Sequence, residues 1–201
     1  MWDYSAIMSI IQDDSEIRLA ARLRTEREGR TWSIADLAVR SGVSRAMISK
    51  IERGEASPTA ALLRRLSGAF GLSMSQLFAR VEAAGGRVTR AAEQPAWRDP
   101  GTGFVRRSLS PPGGAPVELV WGEMPPGVSV AYPAETYRFL LDQQIVVLEG
   151  RLTVVQGEET YALNPGDCIR YGPPRDSAIR NEGTVPCRYV VAVLRQQTGG
   201  R

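Results

Sequence analysis

The sequence predicts a small all-α domain of short helices followed by an all-β domain of the barrel or jelly-roll kind. Three observations carry this. Between Ser33 and Gly54 apolar residues recur at helical spacing, with serine caps and one glycine break. From Val117 onward short runs rich in Val, Ile, Tyr and Leu are bounded by Gly or Pro, as strands joined by tight turns are. Between the two, Gly85-Gly86, Pro95, Pro100, Gly101 and Gly103 mark a linker and an irregular entry. The expected organisation is a tail over 1–14, a helical domain over 15–80, a linker over 81–100 and a barrel over 101–201.

Ser33 is a good N-cap, and Ile34, Leu37 and Ala38 share one helical face. Gly42 breaks that helix and tolerates the positive φ that a tight turn requires, while Ala38 is small enough for two helices to cross closely. Ser44 opens a second run in which Met47, Ile48 and Ile51 face inward, leaving Arg45, Ala46, Ser49 and Lys50 on the opposite face. This is a helix-turn-helix, which presents its second helix to the DNA major groove. Thr59 then caps a segment with an apolar face of Leu62, Leu63, Leu66, Ala69 and Phe70. Ser73 starts a last turn carrying Leu77 and Phe78.

From about Leu19 to Phe78 the chain resembles the phage-repressor-like (XRE) helix-turn-helix regulators. The likeness rests on LAARLRTER, the Leu37-Ala38 pair, the Gly-Val-Ser turn, the Ile-Glu-Arg-Gly ending and the Ser57-Pro58-Thr59 start of the next helix. The resemblance implies base-edge contacts from Arg45, Ala46 and Lys50, with Ser33, Ser44, Ser49 and Arg53 as further candidates for DNA contact. It also implies that Arg27 and Glu52 form a pair tying the first helix to the recognition helix. Glu26 departs from the family pattern, which has an apolar residue there. Lys50 is the only lysine in the chain. The competing reading is a helical hairpin that serves only packing or binds only protein.

Charge is divided unevenly. Residues 15–80 carry 12 cationic and 6 anionic side chains, whereas 81–201 carry 13 of each. A basic excess confined to the helical domain fits phosphate contact. The N-terminal MWDYSAIMSIIQDD has neither a basic leader nor a small-residue cleavage site, and no stretch approaches the ~18 apolar residues of a membrane span. A cytoplasmic protein is therefore expected. Cys168 and Cys187 are expected to be buried filler, since a reducing compartment disfavours a disulfide.

Strands are expected at Val117 to Trp121, Ile145 to Leu148, Leu152 to Val155, Tyr161 to Leu163, Cys168 to Tyr171 and Cys187 to Leu194. Glu149-Gly150 and Gln156-Gly157 read as hairpin turns, and Asn164-Pro165-Gly166-Asp167 as a type II turn. The run VVLEGRLTVVQGEETYALNPGDCIRYGPPRDSAIRN, ending at Asn181, resembles the core of the cupin barrels. Many cupins hold a metal with two His and a Glu of the first motif and a later His. In this chain, which has no histidine, those positions fall on or beside Tyr137, Phe139, Gln143 and Ser177. Hydroxyl, phenyl and amide groups make no competent Zn or Fe set, so neither a metal cofactor nor catalysis is expected.

Residues 137, 139, 141, 143, 145 and 147 share one strand parity, which directs Tyr137, Phe139 and Gln143 inward with Ile145 and Val147. These side chains either line a small-molecule pocket or fill the barrel. Trp121, Arg106, Tyr189 and Ser177 are further candidates. Together the halves resemble one-component transcription regulators, implying a homodimer on double-stranded operator DNA whose affinity a small organic effector modulates. The alternatives are an antitoxin-like or architectural repressor whose barrel only dimerises, and a cupin enzyme tethered to DNA.

Overall fold

A computed structural model describes residues 19–72, 74, 77, 87–112, 115–137 and 140–195. The tail over 1–14, Gly85-Gly86, Ser73, Phe78 and Phe139 lie outside the described residues. The chain divides into two compact units, one of Met1–Ala79 with Pro95–Gly101, the other of Arg80–Gln94 with Thr102–Arg201.

The first unit is helical. Helix α1 runs through residues 19–28, followed by α2 (Ile34–Ser41), α3 (Arg45–Glu52) and α4 (Ala60–Phe70). Leu19, Leu23, Leu37, Ile48, Ile51, Leu63 and Leu66 form a core almost wholly shielded from water. Serine and threonine start the helices as their sequence positions require: the hydroxyls of Ser33, Ser44 and Thr59 accept the N–H groups of Asp36, Met47 and Leu62. Gly42 closes α2 at φ 66°, its N–H donating to the Ala38 carbonyl at 2.9 Å.

Glu26, the departure from the family pattern, is accommodated by charge. It lies between Arg22, at 2.6 Å, and Arg30, each one turn away on the same side of α1. A short strand β1 (Ala96–Arg98) also belongs to this unit, in a segment read from sequence as linker. Trp97 is buried, and the buried carboxylate of Asp99 accepts the Ala60 N–H at 2.6 Å, at the first turn of α4.

The second unit is two antiparallel sheets. The larger is ordered β2 (Val105–Ser108), β3 (Val117–Met124), β10 (Cys187–Arg195), β5 (Leu140–Glu149) and β8 (Cys168–Arg170). The smaller is ordered β4 (Ser129–Tyr132), β9 (Ser177–Arg180), β6 (Leu152–Gln156) and β7 (Glu159–Leu163). Alternation buries Val120, Met124, Ile145, Val147, Tyr189 and Val191 on one sheet and Val130, Leu152, Val154 and Ile179 on the other. The Asn181 side chain donates to the carbonyls of Met124 and Val185, both at 2.8 Å, tying the end of β9 to β3.

The hairpin at Gly157 forms between β6 and β7, whereas the expected hairpin at Gly150 does not: β5 pairs with β10 and β8 and β6 with β7 and β9, so the Gly150 turn carries the chain from the larger sheet to the smaller. The Asn164 turn closes with the Asp167 N–H on the Asn164 carbonyl at 3.0 Å. Two expectations are corrected. Cys168 is exposed, because on β8 it is Ile169 that pairs inward beside Ile145; only Cys187 is buried. The inward parity of β5 also does not reach back to Tyr137. That residue lies in a 3-10 turn (Ala134–Tyr137), and the β10 ladder shifts register between Leu194 and Arg195, leaving Leu141 56% exposed.

Candidate functional site

The exposed face of α3 is set by its buried one. Ile48 and Ile51 anchor the helix, so Arg45, Ala46 and Lys50 stand in solvent with Ser44 at the N-terminus and Ser49 half-buried between them. Arg45 has no hydrogen-bond or ion-pair partner among the described residues, so its guanidinium is uncommitted. Arg53 differs. It holds both oxygens of Glu55, at 2.6 and 2.7 Å, and also donates to the Ser49 hydroxyl, so two of the seven candidate DNA contacts are engaged with each other. Its bond to Glu55 raises the Arg53 pKa and lowers that of Glu55. Ser33, at the start of α2, is exposed but gives its hydroxyl to Asp36, which lowers that carboxyl's pKa.

Behind this face Arg27 grips Glu52 with two parallel bonds of 2.7 and 2.8 Å and donates a third to the Trp32 carbonyl at 2.9 Å. The pair joins α1 to the last turn of α3 and is shielded, with side-chain exposures of 11% and 6%. The hydrogen bond to Glu52 raises the Arg27 pKa. A bidentate Arg–carboxylate pair fixes orientation as well as distance, so it sets how α3 is presented.

In the second unit the polar residues gather at one end of the barrel, in a cleft of about 520 Å³ whose lining includes Tyr137, Gln143, Gln156, Arg170, Tyr171 and Pro173. The Tyr137 hydroxyl and the buried Ser177 hydroxyl are bonded at 2.5 Å, and the Tyr137 and Tyr171 rings lie 5.7 Å apart. Burial raises the Tyr171 pKa well above the ordinary phenol range. At the mouth, Arg170 donates to Asp142 at 3.0 Å, and this bond lowers the Asp142 pKa.

The candidate effector residues therefore separate. Tyr137 and Gln143 line the cleft with Ser177 bonded to Tyr137. Tyr189 is core: its ring lies over Gly122, where a Cβ would meet it at 2.5 Å, and burial holds its pKa far above the ordinary value. Arg106 pairs in register with Gly122 in the same row as Tyr189. Trp121 has the opposite parity, with Arg107 stacked over its ring at 4.8 Å. Gln156, Tyr171 and Arg170 were not singled out from sequence. Gln156 had a readable signal, as the one polar member of the alternating inward set Leu152, Val154, Gln156.

The cupin metal positions do not suit a metal. Tyr137 and Ser177 satisfy each other, Gln143 offers an amide, and among the described residues no group of three or more His, Cys, Asp or Glu is placed to hold an ion. No helix among the described residues is long and apolar enough to cross a membrane.

Residues 23–77 match the helix-turn-helix family and residues 122–193 match the cupin domain family. The HTH-type transcriptional regulator SutR of Escherichia coli K12 is 28% identical over 171 residues, which span 82% of this chain and 88% of SutR. The crystal structure of an HTH_3 family transcriptional regulator from Vibrio cholerae superposes with a TM-score of 0.73 at 22% identity. That alignment covers 92% of this chain and 99% of the other, and it shows a shared fold. The chain thus carries an XRE-type helix-turn-helix domain followed by a cupin domain.

Proposed function

Because this chain is a transcriptional regulator joining a helix-turn-helix domain to a cupin domain, we propose that it binds operator DNA as a homodimer and that a small organic effector in the barrel cleft sets its affinity. The observation that carries the DNA part is the solvent-facing Arg45 and Lys50 on a helix whose other face is locked by Ile48 and Ile51. Arg45 is a base-edge reader, and Lys50 reads a base or meets phosphate. The test is fluorescence anisotropy on an operator selected from random DNA, repeated over a range of salt. Lys50→Ala weakens all sequences and flattens the salt slope if Lys50 meets phosphate; it relaxes preference at one position if Lys50 reads a base.

One recognition helix reads only a few base pairs, and a dimer places two of them on half-sites about 34 Å apart or at multiples of that repeat. The barrel is the dimerising part in this reading. Its larger sheet exposes Val117, Leu119 and Leu148, and residues 81–201 carry no net charge. Light scattering on the full chain tests this, a monomer both free and on DNA being the contrary result. The effector part is supported by the cleft and its lining by Tyr137 and Gln143. For an effector to regulate, it must bind two arrangements of the dimer unequally; a coupling of about 1–3 kcal/mol alters operator affinity roughly 5- to 150-fold. In this reading the cupin domain is a binding module without catalytic activity.

A further inference from the structure

We infer that the barrel cleft takes a small uncharged compound bearing a carboxamide or lactam –CO–NH– unit. The inference rests on the sensing reading for its location and goes beyond it in naming the ligand's chemistry.

Gln156 stands at the inward end of β6 and is 5% exposed, yet it lines the cleft. Its Oε1 accepts the Gly172 N–H at 3.2 Å, which assigns the amide's orientation and turns Nε2 away from that loop. No described residue accepts a hydrogen bond from Nε2. The Nε2 group is not closed off in the core but opens into the cleft, where it is a donor available to a ligand oxygen. The amide of Gln143, half-buried on β5 and lining the same cleft, also makes no hydrogen bond to a described residue. One donor-only group and one group with both donor and acceptor complement a unit that carries a carbonyl beside an N–H.

Charge disfavours the ionised alternatives. Asp142 and Arg170 are the ionised groups of the lining, and they are bonded to each other at 3.0 Å. Their charges cancel, so the lining offers neither a carboxylate nor an ammonium ligand an unmatched counter-charge, and neutral hydrogen-bonding groups line the inner part of the cleft. The Tyr137 hydroxyl is already committed to Ser177, so it does not compete with the two glutamines for the ligand. The remaining walls include the Tyr137 and Tyr171 rings, Leu140, Pro173 and Pro174, which suit a flat or compact apolar body.

The test is calorimetric titration of the full chain with compounds that share a skeleton and differ in head group: benzamide, benzoate and benzylamine, with 2-piperidone as a saturated lactam. The expected result is that benzamide or 2-piperidone binds about tenfold or more tightly than the two charged compounds. Gln156→Met and Gln143→Leu should each weaken that binding by about tenfold, the loss of one hydrogen bond in a desolvated site. Circular dichroism melts establish that each variant is folded; Gln143→Leu, at a half-buried position, keeps the test open if Gln156→Met is not. Benzoate binding as tightly as benzamide overturns the ligand class and leaves sensing standing. Amide binding that ignores both substitutions, or no binding by any of the four compounds, overturns the site. Glutamine-dependent amide binding that leaves operator affinity unchanged upholds this inference and removes the sensing reading.

Discussion

Arg45 and Lys50 stand in solvent on α3, whereas Gln156 and Ser177 lie buried among the strands of a sandwich. The first pair needs only that Ile48 and Ile51 be held; its chemistry follows from the helical period, and nothing else in the unit has to move for it to be presented. The second pair depends on four separate chain segments: β6, β9, the turn carrying Tyr137 and the loop after β8. An outward site can thus be rewritten residue by residue with little effect on folding. An inward site shares its side chains with the core, so changes in recognition and in stability come together there.

The sharpest way to break this contrast is behind the outward site, where the helical unit also depends on a buried contact. Arg27→Ala leaves Glu52 shielded and uncompensated, an expected loss of about 3–5 kcal/mol in urea unfolding. Replacing both partners with apolar residues, as in Arg27→Met with Glu52→Leu, should recover most of it. A double variant as unstable as Arg27→Ala would mean that the Arg27 bond to the Trp32 carbonyl matters more than the pair's charge. In the barrel, Gly122→Ala places a Cβ against the Tyr189 ring, and overpacking there should cost about 1–3 kcal/mol, read from the same unfolding curves.

Arg45→Ala should act in the opposite sense: about 1–3 kcal/mol lost in operator binding, with relaxed preference at one base pair, and a stability change within about 0.5 kcal/mol. Unchanged affinity and preference would remove Arg45 from the interface; a large stability change would remove the contrast.

The smallest effect at neutral pH concerns Cys187, whose thiol is pushed up to about 11 by burial. An ordinary thiol ionises near pH ~8.5, so the unfolded chain loses this proton first. The contribution to stability is intact below that pH and is lost as pH rises toward the folded value. Melting temperature should therefore fall with pH more steeply in the wild type than in Cys187→Ala above pH ~8.5, with parallel profiles below it. Iodoacetamide at neutral pH should label the exposed Cys168 and spare Cys187 until the chain unfolds.

Much of the helical unit was determined by sequence alone, because caps, helical period and the glycine stop are local. Ser33, Ser44 and Thr59 cap where their positions implied, Gly42 takes its positive φ, and α3 exposes the residues its periodicity set apart. The longer, apolar strands and the tight turns were legible for the same reason. Only tertiary structure decided the rest. The strands β2, β4 and β9, only four residues each, are too short for the sequence pattern to set apart and exist because a neighbour offers its hydrogen bonds, β4 and β9 pairing with each other along their length. Pro95–Gly101 reads as linker until the Asp99 carboxylate finds the start of α4, a contact 39 residues away in sequence. The register shift at Leu194 ends the inward parity of β5, so Tyr137 reaches the cleft from a turn, and Tyr189, one strand over, is consumed by Gly122 as core. Residues on one strand declare only which of two faces they take; which of them meet across the barrel depends on pairing register, and that is a property of the assembled sheets.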